Sequence, residues 1–202
     1  MMKRIRKTTA VANPADDRPD VSPFSYVDPS ARIIGNVEIG PRVYVGPCAV
    51  IRADEAGACG EVAPITIWPE CNVQDGVILH SLGGHRIFVG SRVSLSHGCI
   101  VHGPCSIGDH SFIGFRAIVF KANLGAGTYV GTGAIVEGVE LPPGALVPAG
   151  AVVNSAEAVS RLPKTSEDEQ AFMLKVVETN IKLVEGYLGL AKAKEASEGT
   201  KS

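Results

Sequence analysis

From Ile33 onward, aliphatic residues return every six positions: Ile33, Ile39, Val45, Ile51, then Ile67, Val73 and Leu79. After an interruption the series resumes at Val89, Leu95, Val101, Ile107, Ile113 and Val119. It slips by one residue to Leu124, runs through Val130 and Val136, slips again to Leu141 and ends at Val147 and Val153. The residue four places after each aliphatic is usually small, as at Ala49, Cys71, Cys99, Cys105, Ala117 and Ala134. A period of six suits neither a 3.6-residue helix nor a simple alternating strand. It is the signature of a parallel β-helix, in which three short strands close one triangular coil of about 18 residues. Each hexapeptide would bury its aliphatic and its small residue inside the prism, and successive coils would pair through backbone hydrogen bonds about 4.8 Å apart.

Cys71, Cys99 and Cys105 fall on the small inward position, which makes them core fillers rather than metal ligands. The five cysteines are odd in number and lack close CxxC spacing, so they read as reduced thiols, and the expected location is cytoplasmic. A net charge of −2 gives no global field to recruit nucleic acid or an acidic membrane, and no run approaches the apolar length of a membrane span. The opening "MMKRIRKTTAVANPADDRPD" is basic without an apolar core, so it is not a secretory signal. It reads as a flexible arm, with a faint likeness to an organelle transit peptide.

Two segments interrupt the ladder and lengthen corners, residues 53–66 and 81–88. After Val153 the repeat stops. The segment that follows predicts a helix, with Ser166 and Glu169 as a capping box and an apolar stripe through Phe172, Val176, Ile181, Leu183 and Leu188. The expected organisation is an arm over 1–24, the β-helix over 25–160, a C-terminal helix over 161–196 and a disordered tail over 197–202. The fold class is thus all-β with one C-terminal helix.

The coil register converts the histidine positions into places. His80 and His102 each follow the aliphatic of their repeat and lie one rung apart on one face, with Arg52 in the same phase one coil earlier. His97 belongs to a different face, which it shares with Gln74 and Asp75. It cannot easily reach the other two around the edge of its own prism. In a threefold homotrimer it can, because its face meets the neighbour's His80 and His102. Two readings stand at this point: a metal site between subunits, or three polar interface residues.

The stretches "IRADE", "NVQDGVILH", "VSLSHGCIVHGPCSIGD", "FIGFRAIVFKANLGAG", "LPPGALVPAGAVV" and "VETNIKLVEGY" resemble, in order, the γ-class carbonic anhydrases and span roughly residues 25–188. The likeness is greatest to the archaeal and carboxysomal branches of that family. It implies a left-handed prism, a hand that spacing does not give. It further implies that His80, His97 and His102 bind zinc, or alternatively ferrous iron or cobalt, and that the reaction interconverts CO2 and bicarbonate. By the same resemblance Gln74 orients the attacking water and Asn180 holds CO2. Arg52 and Asp75 form an intersubunit salt bridge, Asp54 and Asn72 line the site and its interface, and Glu55 is a further acid of the active site.

The chain departs from the family where proton export is concerned. The loop after His80 is the short "SLGGHRIF", which lacks the expected acid. His85 in that loop has a suitable intrinsic pKa for a shuttle, although an exposed loop histidine needs no function. Slow or buffer-dependent turnover is the expected consequence. Two other readings remain open: a hexapeptide acyltransferase, and a non-catalytic assembly subunit that keeps the ligands as a relic.

Overall fold

The computed structural model describes residues 9–199. These fold into a three-sided parallel β-helix followed by two helices. The first face has eight strands, from Ala10–Val11 through Val50–Ala53, Ile78–Ser81 and Ile100–Gly103 to Val152–Val153. The second and third faces have seven strands each, ending respectively at Glu140–Leu141 and Leu146–Val147.

Strands form where the hexapeptide aliphatics point inward. On the first face Ile33, Ile51, Leu79, Val101, Val119, Val136 and Val153 lie in register and are buried. Cys71, Cys99 and Cys105 are buried as expected, and burial pushes the thiols of Cys71 and Cys99 up to about 12. The two extended corners pack against each other: a Cβ placed on Gly83 would lie 2.4 Å from Ala56 O. Only glycine permits that approach, and it holds the Glu55 segment against the strand of His80.

The ladder reaches further toward the N-terminus than the expected start at 25. Ala10–Val11 pairs with Ile33–Ile34, and Asp20–Val21 pairs with Glu38–Ile39. These short strands escape a periodicity search because each contributes too few repeats to register. Residues 1–8 of the expected arm and 200–202 of the expected tail lie outside the described residues.

The helical end is also divided differently. α1 (Ala156–Ser160) is capped by Ser155 Oγ and packs on the last coil. Val159 and Leu162 cover the core there, the closure that a solenoid end needs. Pro163 separates it from α2 (Glu167–Gly199), so the helix begins after 161 and extends past 196. The capping box is present: Glu169 N donates to Ser166 Oγ, and Ser166 N donates to Glu169 Oε2 at 2.7 Å. The buried stripe of α2 is Met173, Val177, Asn180 and Val184, not the expected stripe through Phe172 and Leu183, which are exposed. The reason is the surface beneath. The third face presents Tyr26, Tyr44, Asn72, Ser94 and Phe112, a mixed aromatic and polar track that accepts Asn180 within the contact. Tyr187 stacks on Tyr26 at 4.2 Å between centroids and anchors α2 just past its midpoint.

Candidate metal centre

His80 and His102 occupy outward positions beside the buried Leu79 and Val101 and are direct register partners. Arg52 precedes them and Phe120 follows, one rung each. His80 Nδ1 faces His102 Nε2 at 3.2 Å, with the rings at 82°. The outer nitrogens face acceptors. His102 Nδ1 lies 3.3 Å from Gly103 O, and His80 Nε2 lies 3.3 Å from Glu55 Oε1 and 3.6 Å from Asp54 Oδ1. His80 Nε2 is buried without a hydrogen bond of good geometry, so its contact with the carboxylates is electrostatic.

This arrangement suits a cation. When acceptors hold the protons on the outer nitrogens, the inner nitrogens point bare lone pairs at one another. Two imidazoles bound at 2.0–2.1 Å to one tetrahedral ion have nitrogens about 3.3 Å apart, close to the separation seen. Burial holds the His80 imidazolium below its ordinary pKa, helped by the Arg52 guanidinium and His102 and opposed by Glu55 and Asp54. A neutral imidazole is the ligating form.

His97 sits elsewhere, at the corner between the third and first faces. Its ring stacks parallel on Phe115 at 5.7 Å, its Nδ1 lies 3.6 Å from Asp75 Oδ2, and its side chain is 53% exposed. Among the described residues no three His, Cys, Asp or Glu side chains of one chain converge as a metal-binding group. The structure pairs His80 with His102, sets Asp54 and Glu55 on the outer nitrogen of His80 and away from the pair's inner nitrogens, and leaves His97 and Asp75 apart.

The remaining candidates are scattered. Arg52 pairs with Asp54 of its own chain at 3.1 Å. Gln74 is partly buried, with Oε1 shielded from solvent and without a hydrogen-bond partner. Asn72 is wholly buried on the face that α2 covers, and its Nδ2 donates to Ser94 Oγ at 2.8 Å. Asn180 is buried on α2 and donates to Val176 O at 2.9 Å. His85 is exposed, its loop tied to the His80 strand by Ser81 Oγ donating to His85 O.

Sequence reasoning missed two contacts. Ser96 is buried with an unpartnered Oγ, one coil on from Gln74. Its signal was available, since 74 and 96 differ by 22, as do 80 and 102. Phe120 sets its edge against His102 at 5.4 Å and carries Lys121 Nζ over its own ring; continuing the column one rung beyond His102 would have found it.

A β-helix of hexapeptide repeats with paired histidines on one face is thus the class that the fold and site define. No family model matches the chain. It is 36% identical over 196 residues to the carbonic anhydrase of Methanosarcina thermophila, covering 87% of this chain and 77% of that protein. The carboxysome assembly protein CcmM of Nostoc sp. is 39% identical over 84% of this chain, which spans 31% of that protein's length. Among solved structures, a hexapeptide transferase family protein from Anaplasma phagocytophilum superposes with a TM-score of 0.75 at 25% identity, covering 90% of this chain and 99% of that one. The chain belongs to the γ-class carbonic anhydrase family.

Proposed function

We propose that the protein is a carbonic anhydrase that interconverts CO2 and bicarbonate at sites shared between subunits of a homotrimer. His80 and His102 of one subunit and His97 of the next would hold a zinc-type ion, with iron or cobalt as alternatives. The observation that carries this reading is the pair of inner nitrogens facing each other at 3.2 Å with their outer nitrogens toward acceptors. Support for a second copy comes from the same face. Val50, Ile78, Ile100, Ile118, Ile135 and Val152 form an outward aliphatic column beside the histidines, with Ile78 40% and Val152 56% exposed. An aliphatic stripe of that length favours cover by another chain. A heterologous contact that closes after three copies supplies it.

When bound by three neutral imidazoles, such an ion makes water acidic enough to serve as hydroxide near neutral pH. Gln74 Oε1, lacking any partner of its own, accepts a hydrogen bond from the attacking water and fixes its orientation. Asn180 must turn its amide from Val176 O to donate toward CO2. Glu55, half-exposed and beside His80, receives the released proton and passes it to buffer, with His85 as a second acceptor on the neighbouring loop. Arg52 and Asp54 fix the outer edge of the pair.

A non-catalytic assembly role is the second reading. The 39% identity to a carboxysome assembly protein and the acid-free loop after His80 favour it. Stopped-flow CO2 hydration on metal-quantified protein separates the two. Activity proportional to metal, abolished in His102→Ala and rising with buffer concentration supports the anhydrase. No activity at full occupancy with zinc, cobalt or anaerobic iron refutes it.

A further inference from the structure

The corner between the second and third faces lies opposite the face that carries His80 and His102. One residue per coil there adopts a left-handed backbone: Arg42, Glu70, Arg92, His110, Gly127 and Gly144, with φ of 56°, 61°, 58°, 59°, 67° and 69°. Four of these stack side chains in a column and the last two have none. Glu70 is held between Arg42 and Arg92, and His110 follows one rung beyond Arg92. Past His110 the column empties, and a Cβ built on Gly127 meets nothing within 4 Å.

The first turns of α2 border this hollow and produce a cavity of about 480 Å³. The corner contributes Arg92 and His110, the approach to α2 contributes Thr165, and the helix contributes Met173, Leu174 and Val177. Two acids border the corner and keep their charge but are oriented by backbone donors: Asp109 Oδ1 accepts from Ser91 N at 2.8 Å, and Glu169 accepts from Ser166 N. A guanidinium with a second cationic or donor ring on one side and an apolar helix face on the other is complementary to a carboxylate carrying a short alkyl chain.

We propose that this cavity binds a small amphipathic carboxylate, its head met by Arg92 and His110 and its chain laid against Met173, Leu174 and Val177. The site is separate from the histidine pair, so it holds whether or not the anhydrase reading does. The test is calorimetric titration of the full chain with octanoate, with octylammonium and acetate as comparators. Octanoate is expected to bind, and both comparators at least tenfold more weakly. Arg92→Gln is expected to weaken octanoate at least tenfold by removing the charge, and His110→Asn to weaken it severalfold while tolerating the positive φ. Gly127→Asn keeps every charge and places a side chain in the hollow, so it is expected to abolish binding. Thermal unfolding of each variant confirms that it is folded. Octylammonium binding as tightly as octanoate, octanoate affinity unchanged in both folded Arg92→Gln and folded Gly127→Asn, or no octanoate binding at millimolar concentration overturns the proposal.

Discussion

Replacing Leu79 by alanine tests the physical basis of the histidine face. Leu79 is fully buried between Ile51 and Val101 in the first-face column, and its strand neighbour is His80. Leu-to-Ala changes in cores cost about 2.7–5.0 kcal/mol, the larger values where the surroundings cannot close on the cavity. Here the coils above and below are held about 4.8 Å apart by continuous backbone hydrogen bonds, so collapse along the prism axis is blocked. The expected cost is therefore in the upper half of that range, about 4 kcal/mol. For a chain of this length, each kcal/mol lowers Tm by about 2–4 °C, giving a fall of about 8–16 °C. Leu79→Met conserves volume and is expected to cost less than about 1.5 kcal/mol. Urea unfolding followed by far-UV circular dichroism, at one fixed protein concentration because assembly shifts apparent stability, provides the comparison. A cost below about 1 kcal/mol for Leu79→Ala, or equal costs for both variants, would refute a rigid interior column.

Three further outcomes are expected. Gln74→Ala should lower kcat/KM for CO2 hydration by about 10–100-fold at unchanged metal content, the value of one hydrogen bond to a charged reacting group; metal analysis alongside stopped flow checks it. Hydrogen bonding from Arg42 holds the Glu70 carboxyl below its usual range. Its stabilisation is present above the unfolded value and lost as pH falls through the lower folded one, so Glu70→Gln should cost about 1 kcal/mol at neutral pH and progressively less as pH falls below the unfolded carboxylate range, measured by denaturant unfolding across a pH series. Tyr187→Ala removes the stack on Tyr26 and should speed amide exchange in the turns of α2 around residue 187 while leaving the prism protected, as hydrogen-exchange mass spectrometry would show.

The repeat was legible because an interior this narrow admits little but aliphatic and small side chains, and the chain must return to each face at a fixed interval. The same arithmetic aligned Arg52, His80 and His102, since register is a property of the backbone. The buried stripe of α2 was not legible. Helical periodicity identifies an apolar face only when the partner surface is apolar, and α2 rests on Tyr26, Tyr44, Asn72 and Ser94 and buries Asn180. The approach of Glu55 to His80 was equally hidden. It depends on how two irregular corners pack, through Gly83 against Ala56, and no repeat governs that. Ala10–Val11 and Asp20–Val21 lay below detection because two residues cannot establish a period.

The central claim is that each site draws His80 and His102 from one chain and His97 from another. Mixing His97→Ala with His102→Ala subunits, unfolding and reassembling them together, tests it most directly. Each variant alone has no complete ligand set. With random assembly of equal amounts, about one quarter of the interfaces pair an intact His80–His102 face with an intact His97. Recovery of metal binding and CO2 hydration toward about one quarter of wild type is the predicted result. Mixed assemblies that stay as inactive and metal-poor as the separate variants would contradict a site shared between chains.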